Sequence, residues 1–103
     1  MAYEEVLVAL ADPTRRSIYE RVRRRPLTVS ELTTASAVSQ PAVSQHLRVL
    51  ERARLVTQRR EGTRRYYQAT PEGLADLRRY LDTMWDDVLA AYAAQGKPVK
   101  RRK

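Results

Sequence analysis

The chain of 103 residues contains no cysteine and one histidine. No disulfide can therefore form, thiol redox sensing is excluded, and a structural zinc site lacks the ligands it needs. No apolar run approaches the roughly 18 residues that a membrane-spanning helix requires. A domain of this length buries only roughly 60–65% of its unfolded surface, so we expect a second copy of the chain to add stability.

Recognisable catalytic arrangements are also missing. There is no glycine-rich phosphate loop, and the carboxylates are scattered over predicted helix surfaces, where solvation and capping account for them. We therefore expect no enzyme activity and no bound cofactor. Residues 1–5 carry two acidic side chains and no basic one, unlike the start of a signal peptide, and the expected location is the cytoplasm.

Positive charge is abundant but unevenly distributed. The chain has 20 Lys and Arg against 12 Asp and Glu, a formal net charge of +8. Residues 39–70 contain seven Arg and two Glu, whereas residues 71–94 contain five acids and two Arg. The last nine residues add five basic groups and no acid. A basic middle and a basic end favour a polyanionic partner such as nucleic acid.

Four short helices are predicted in the first half of the chain. Residues 3–10 suit the first, and Asp12-Pro13 supplies an N-cap and a proline at the first position of the second. Thr28 and Glu31 have the spacing of a capping box at the start of the third. Ser39 is the expected cap of the fourth. Two amphipathic helices joined by a short turn form a helix-turn-helix pattern.

The fourth helix has two dissimilar faces. Val43, Leu47 and Leu50 recur at helical spacing and form a stripe that must be buried. The polar residues away from this stripe are Ser39, Gln40, Ser44, Gln45, His46 and Arg48. Gln and Arg make bidentate contacts to adenine and guanine, so this face predicts base reading in a DNA major groove. A merely solvated face, a capping role alone for Ser39, and packing or a phosphate contact for His46 remain open alternatives.

A β-hairpin is predicted after the fourth helix. Residues 55–60 and 63–68 are rich in β-branched and aromatic side chains, and Glu61-Gly62 separates them at hairpin distance. The hairpin carries Arg59, Arg60, Arg64 and Arg65. These charges repel one another unless an anion is near, and strand alternation prevents all four from pointing the same way. We expect Arg60 and Arg64, nearest the tip, to contact DNA phosphates or the minor groove.

A long last helix is predicted from Thr70, as N-cap, through Pro71 to about residue 94. Its apolar stripe exceeds what a small domain can cover, which indicates a partner helix. Gly96 and Pro98 are expected to end it. The expected organisation is one domain over residues 1–94 and a flexible basic tail over residues 95–103, which either grips DNA non-specifically or has no role.

Three motifs occur together and in order: residues 9–16 (Ala-Leu-Ala-Asp-Pro-Thr-Arg-Arg), residues 39–47 (Ser-Gln-Pro-Ala-Val-Ser-Gln-His-Leu) and residues 60–67 (Arg-Glu-Gly-Thr-Arg-Arg-Tyr-Tyr). With them the chain resembles, over about residues 5–92, the ArsR/SmtB family of bacterial and archaeal transcriptional repressors. The resemblance implies a mainly α winged helix-turn-helix of order ααααββα. It also implies a recognition helix in the major groove and a homodimer joined through the first and last helices.

The resemblance also locates the expected dimer interface and marks departures from the family. The interface residues expected are Val6, Leu10, Leu77, Leu81, Met84, Trp85 and Leu89. Thr28 and Ser30 stand where metal-sensing members carry cysteines, and hydroxyls cannot replace thiolates for soft metals. Pro71, Gly73, Met84 and Asp87 stand in the register of the zinc ligands of the last helix. No metal site is therefore expected.

The function expected is sequence-specific binding of double-stranded DNA by a homodimeric regulator, acting as a repressor at an inverted-repeat operator. The alternative is an architectural DNA-binding protein held by charge, with little sequence preference and a steep salt dependence. A run of arginines, Arg21 and residues 23–25, ends the second helix. Cations suit a helix C-terminus, and an added contact to the DNA backbone is the competing interpretation.

Overall fold

The computed structural model describes residues 2–96 and has the expected element order, ααααββα. The elements are α1 (Ala2–Ala11), α2 (Pro13–Arg24), α3 (Val29–Ala35), α4 (Gln40–Arg52), β1 (Val56–Glu61), β2 (Arg64–Ala69) and α5 (Glu72–Ala93). Within residues 2–96, no helix is both long and apolar enough to cross a membrane. Most of the predicted basic tail, residues 97–103, lies outside the described residues.

Three predicted helix starts are confirmed by their cap hydrogen bonds. The Asp12 carboxylate accepts from the backbone N–H of Arg15 at 2.9 Å, which begins α2. At α3, Thr28 Oγ1 accepts from the Glu31 N–H at 3.1 Å, and Glu31 Oε1 accepts from the Thr28 N–H at 2.9 Å. Ser39 Oγ accepts from the backbone of the third residue of α4 at 3.3 Å. These bonds satisfy donors that would otherwise have no partner in the first helical turn.

Two local predictions were wrong, one on the hairpin turn and one on the N-cap of α5. The hairpin turn comprises Gly62 and Thr63 rather than Glu61 and Gly62, because Glu61 still pairs with Arg64 across the strands. Gly62 takes a φ of +63°, which glycine adopts without steric cost. Thr70 does not cap α5, since its hydroxyl donates to the backbone carbonyl of residue 54 at 3.0 Å.

The apolar stripe of α4 lies at the centre of the core. Val43, Leu47 and Leu50 are all fully buried. The buried side chains that surround them are Val6, Ala9, Ile18, Tyr19, Val22, Leu27, Leu32, Ala53, Leu55, Val56 and Tyr67. Every element before α5 contributes to this core, which packs against the inner side of α4.

One segment of extended chain was not predicted from the sequence. Leu27, between α2 and α3, forms a two-bond antiparallel bridge with Tyr67 of β2. The two N–H···O distances are 3.0 and 2.8 Å. The bridge attaches the start of α3 to the hairpin, and it sets the wing beside the helix-turn-helix.

Helix α5 joins the domain through a close approach at Gly73. A Cβ atom built at Gly73 would lie 2.4 Å from the Ala53 carbonyl oxygen and 2.8 Å from that of Arg54. The Gly73 N–H donates to the Arg54 carbonyl at 2.9 Å. Gly73 is the one buried residue of α5, so most of this helix extends past the core. Helix α1 contacts α5 through the stacked rings of Tyr3 and Tyr80.

The residues expected in the dimer interface differ in how exposed they are within the single chain. Val6 is fully buried within the single chain, so that prediction was wrong because Val6 offers no surface to a second copy. Positions 7 and 8 of α1, both apolar, face outward instead. Leu81 and Met84 are exposed, while the other expected interface residues, Leu10, Leu77, Trp85 and Leu89, are half-buried.

We predict that Gly73→Ala lowers the free energy of unfolding by about 3 kcal/mol, because the added methyl must displace backbone carbonyls. Gly62→Ala is the matched control: its positive φ disfavours alanine but the space around it is open, and it should cost about 1 kcal/mol. Urea denaturation of both variants at equal protein concentration measures the difference. Equal losses would contradict the close contact of α5 with residues 53–54.

Candidate nucleic-acid interface

The outer face of α4 presents three of the predicted base-reading side chains to solvent. Gln40, Gln45 and Arg48 are exposed. Gln45 and Arg48 lie one turn apart, and Arg48 Nη1 donates to Gln45 Oε1 at 3.1 Å. This bond orients both side chains while leaving the Gln45 Nε2–H donors and further guanidinium N–H donors available.

The other predicted residues of α4 occupy its ends and edges. Ser39 is exposed and its hydroxyl caps the helix, which supports the capping interpretation of this residue. Ser44 is half-buried on the edge that faces the hairpin, where it lines a groove. His46 is half-buried on the opposite edge, beside α2. The structure thus separates the six predicted residues into an outer face, a cap and two edges.

His46 contacts a side chain that joins three helices. Arg15 Nη1 lies 3.4 Å from His46 Nδ1. The same guanidinium donates through Nε to the Ala9 carbonyl at 2.7 Å and through Nη2 to the Val8 carbonyl at 3.0 Å. Because arginine only donates, His46 Nδ1 is the acceptor. Arg15 therefore connects the end of α1, the start of α2 and the edge of α4.

The same junction stabilises a negative charge at the start of α2. The pKa of Asp12 is lowered mainly by its hydrogen bond from the Arg15 backbone, with smaller contributions from the charges of Arg15 and His46. The Asp12 cap thus stays ionised at neutral pH. Its stabilising effect is present above the unfolded pKa near 3.8 and is lost as the pH falls through the lower folded value.

The hairpin arginines fall into two groups. Arg59 is engaged within the hairpin: its guanidinium is 3.3 Å from the Glu61 carboxylate and lies 5.7 Å above the Tyr66 ring. Arg60 and Arg65 are directly opposite each other in the strand pairing. Like charges opposite each other are unfavourable in a sheet, so an anion between them would relieve the repulsion.

Arg60, Arg64 and Arg65 line a groove between the wing and the helix-turn-helix. Its volume is about 680 Å³. The remaining lining residues are Thr28, Val29, Ser30, Glu31, Ser44, Thr63 and Tyr67. The predicted wing residues Arg60 and Arg64 therefore meet Ser44 of α4 across one concave surface, which we name the wing groove.

Arg65 was missed as a candidate because the sequence alone suggested that proximity to the hairpin tip decides the contact. Arg64, nearest the tip, does line the wing groove, but so does Arg65, because cross-strand partners share a face of the sheet. Once Arg60 is paired with Arg65, the alternation rule assigns both to the same side. That signal was present in the strand pattern, but it required the turn to be placed correctly.

The wing is attached to α4 at its base. Gln58 Nε2 on β1 donates to both carboxylate oxygens of Glu51, at 3.1 and 2.9 Å. Tyr67 is buried, and its pKa is raised first by that burial and then by the charge of Glu51. These contacts set the wing groove in a defined position relative to the outer face of α4.

The wing groove contains one acidic side chain. Glu31 is held by the capping box, and its pKa is lowered by hydrogen bonds from Thr28 and by the charges of Arg25 and Arg64. It is therefore ionised at neutral pH and partly offsets the arginines. Over residues 2–96, no three His, Cys, Asp or Glu side chains form a cluster that could hold a metal ion.

Comparisons with known proteins agree with this geometry. A helix-turn-helix domain family matches residues 10–59. The chain is 58% identical over 85 residues to the HTH-type transcriptional regulator Rv2034 of Mycobacterium tuberculosis, covering 82% of this chain and 79% of that protein. It is 40% identical over 75 residues to the transcriptional repressor SmtB homolog of Synechocystis sp., covering 73% and 57% respectively. An ArsR-like transcriptional regulator from Rhodococcus sp. RHA1 superposes with a TM-score of 0.79 at 30% identity, covering 95% of each chain.

We predict that neutral His46 carries its proton on Nε2, because Nδ1 accepts from Arg15. Nitrogen-15 NMR of the neutral imidazole should show one predominant Nε2–H tautomer. The Arg15→Ala variant should give a mixture of tautomers, whereas Arg16→Ala, which removes only a bond to the Leu10 carbonyl, should retain the wild-type signal. A predominant Nδ1–H tautomer in the wild type would contradict the contact.

Proposed function

The chain belongs to the ArsR/SmtB family of transcriptional regulators, and from that membership we propose that it binds a specific DNA sequence as a homodimer and represses transcription. The observation that supports this most directly is the arrangement of α4. Its apolar stripe is fully buried while Gln45 and Arg48 remain exposed beside an arginine-lined groove. The expected place of action is the cytoplasm, where bacterial DNA is found.

In this proposal, base reading and backbone binding belong to different elements. Gln45 and Arg48 project from the side of α4 away from the core, and side chains of these types form bidentate bonds to adenine and guanine edges. The arginines of the wing groove bind phosphates, which position the protein without reading sequence. Gln40 and Ser44 extend the reading surface toward the start of α4. His46 donates from Nε2 to a phosphate at its edge.

The homodimer is supported by the exposed apolar face of α5. This helix has 22 residues and only Gly73 is buried. The large apolar side chains on α1 and α5 that are more than a third exposed are Leu7, Val8, Leu74, Leu81, Met84, Val88 and Tyr92. A second copy that packs on this surface would remove it from water, with a gain of roughly 25 cal/mol per Å² of apolar area buried.

Two-fold symmetry has a consequence for the DNA site. Two copies of α4 that enter successive major grooves lie about 34–36 Å apart, so the operator should be an inverted repeat with half-sites one helical turn apart. A dimer bound over a promoter blocks polymerase, which favours repression. An architectural protein held by charge would instead bind all sequences with similar affinity.

We predict that Gln45→Ala reduces affinity for the operator by roughly 1–3 kcal/mol while leaving affinity for random DNA unchanged. Arg64→Ala should weaken binding to both kinds of DNA, because phosphates are common to all sequences. Selection from random duplex DNA at about 0.15 M salt first identifies the site, since screening at that strength weakens purely electrostatic contacts. Fluorescence anisotropy with the selected and scrambled duplexes then measures both variants.

Two outcomes would count against the proposal that α4 reads bases while the wing binds the DNA backbone. If selection enriches no sequence although binding is tight and collapses on adding salt, the architectural alternative is correct. If Gln45→Ala and Arg64→Ala change specific and random binding equally, base reading and backbone binding are not separated between α4 and the wing.

We predict that Leu81→Glu converts the dimer to a monomer, because it places a charge in the centre of the exposed apolar face of α5. Ala90→Glu is the matched control: it adds the same charge on the same helix, and nine residues at 100° each put it on the opposite side. Sedimentation velocity over a range of concentrations measures both. A dimer that survives Leu81→Glu but not Ala90→Glu would mean that another face of α5 forms the interface.

A further inference from the structure

A second basic groove lies at the end of α2, and no residue of α4 lines it. Its volume is about 390 Å³. The residues that line it are Arg21, Arg24, Arg25, Leu27, Glu31, Thr34 and Ala35. We name it the α2 groove. Its arginines belong neither to the outer face of α4 nor to the wing.

The arrangement of the α2 arginines separates two explanations for their presence. Stabilisation of a helix C-terminus requires only that cations lie in the last turn, and Arg21, Arg23 and Arg24 all satisfy that condition. Only Arg21 and Arg24 of this helix line the groove. Arg23 lies near Tyr19, whose pKa it lowers slightly against the larger effect of burial. The three arginines are equivalent as stabilisers of the helix C-terminus, but only two of them lie in the groove.

The positive charge of the α2 groove is only partly neutralised. Arg25 is 3.9 Å from Glu31, and these two side chains are 67% and 42% exposed. An ion pair this exposed to water is weak, and salt screens it further. Glu31 is the single acid among the lining residues, against three arginines. The groove thus keeps a net positive charge that suits an anionic partner.

The α2 groove and the wing groove meet at the start of α3. Glu31 lines both of them. The charges of Arg25, from the end of α2, and Arg64, from the wing, both lower its pKa. Leu27 lines the α2 groove and bridges to Tyr67, which lines the wing groove. Glu31 therefore joins two grooves that together contain six arginines.

We propose that the α2 groove binds the phosphate backbone of the same DNA duplex whose bases α4 reads. The backbone follows a track from the wing groove, across the start of α3, to Arg21 and Arg24. This inference rests on the proposed function, and it assigns to α2 a part of the footprint. The ligand is a duplex phosphate backbone because the charges form an extended surface across two grooves rather than a closed pocket for one small anion.

The test compares Arg24→Ala, Arg21→Ala/Arg24→Ala and the control Arg23→Ala, using the selected operator and a scrambled duplex. Removal of one phosphate-binding arginine should reduce the slope of log K against log salt by about 0.9. The double variant should therefore lower the slope by about 1.8, with affinity reduced about tenfold or more at 0.05 M salt. Both duplexes should be affected equally, and Arg23→Ala should keep the wild-type slope.

Glu31→Gln supplies an independent second test. Glutamine preserves the capping box, so α3 keeps its start while the acid common to both grooves is removed. The variant should bind both duplexes more tightly than the wild type, by several-fold at low salt. Unchanged or weaker binding of a folded Glu31→Gln protein would overturn the continuous track.

The outcomes separate this inference from the proposed function. If the wild type selects an operator but the double variant keeps the slope of Arg23→Ala, the α2 track is wrong and the regulator remains. If Arg23→Ala lowers the slope as much as Arg24→Ala does, general charge and not the groove is responsible, and the proposal is again wrong. If the wild type binds no DNA, both proposals fail together.

Discussion

Burial of the α4 stripe is the constraint on which the rest of the structure depends. Val43, Leu47 and Leu50 are fully buried, and side chains from all the preceding elements and from the wing pack around them. This burial fixes the rotation of α4 about its own axis. The rotation in turn leaves Gln45 and Arg48 exposed, because residues two or five positions from Val43 point away from the core. A change of packing in the core would therefore reorient the side chains that we propose read DNA, without touching them.

The second organising feature is the set of polar contacts that join α4 to elements at its two ends and along its edges. Arg15 connects the last carbonyls of α1 with His46, and the carbonyl of Arg54 receives the Gly73 N–H of α5. Arg54 also pairs with Asp76 of α5. Helices α1 and α5 carry the apolar face proposed for dimerisation. These contacts therefore fix the orientation of α4 relative to that face. In the dimer that we propose, the spacing of the two copies of α4 would depend on these contacts.

Much of the fold could be predicted because its signals are local. The caps at Asp12, Thr28 and Ser39 depend on atoms three residues away, and all three were confirmed. The failures involved distant partners. Thr70 bonds to a carbonyl 16 residues earlier instead of capping α5, and Val6 is buried in a core made mostly of residues distant in the chain. Neither partner is visible in a local pattern.

The element order, the buried stripe of α4 and the basic character of the middle of the chain all follow from the amino-acid sequence, because helical periodicity, capping and charge are properties of neighbouring residues. Which arginines share a surface depends instead on how distant segments meet. Strand register placed Arg60 opposite Arg65, and the bridge from Leu27 to Tyr67 brought the end of α2 beside the wing. Both effects arise from hydrogen bonds between residues far apart in the chain, and a single sequence does not specify those pairings.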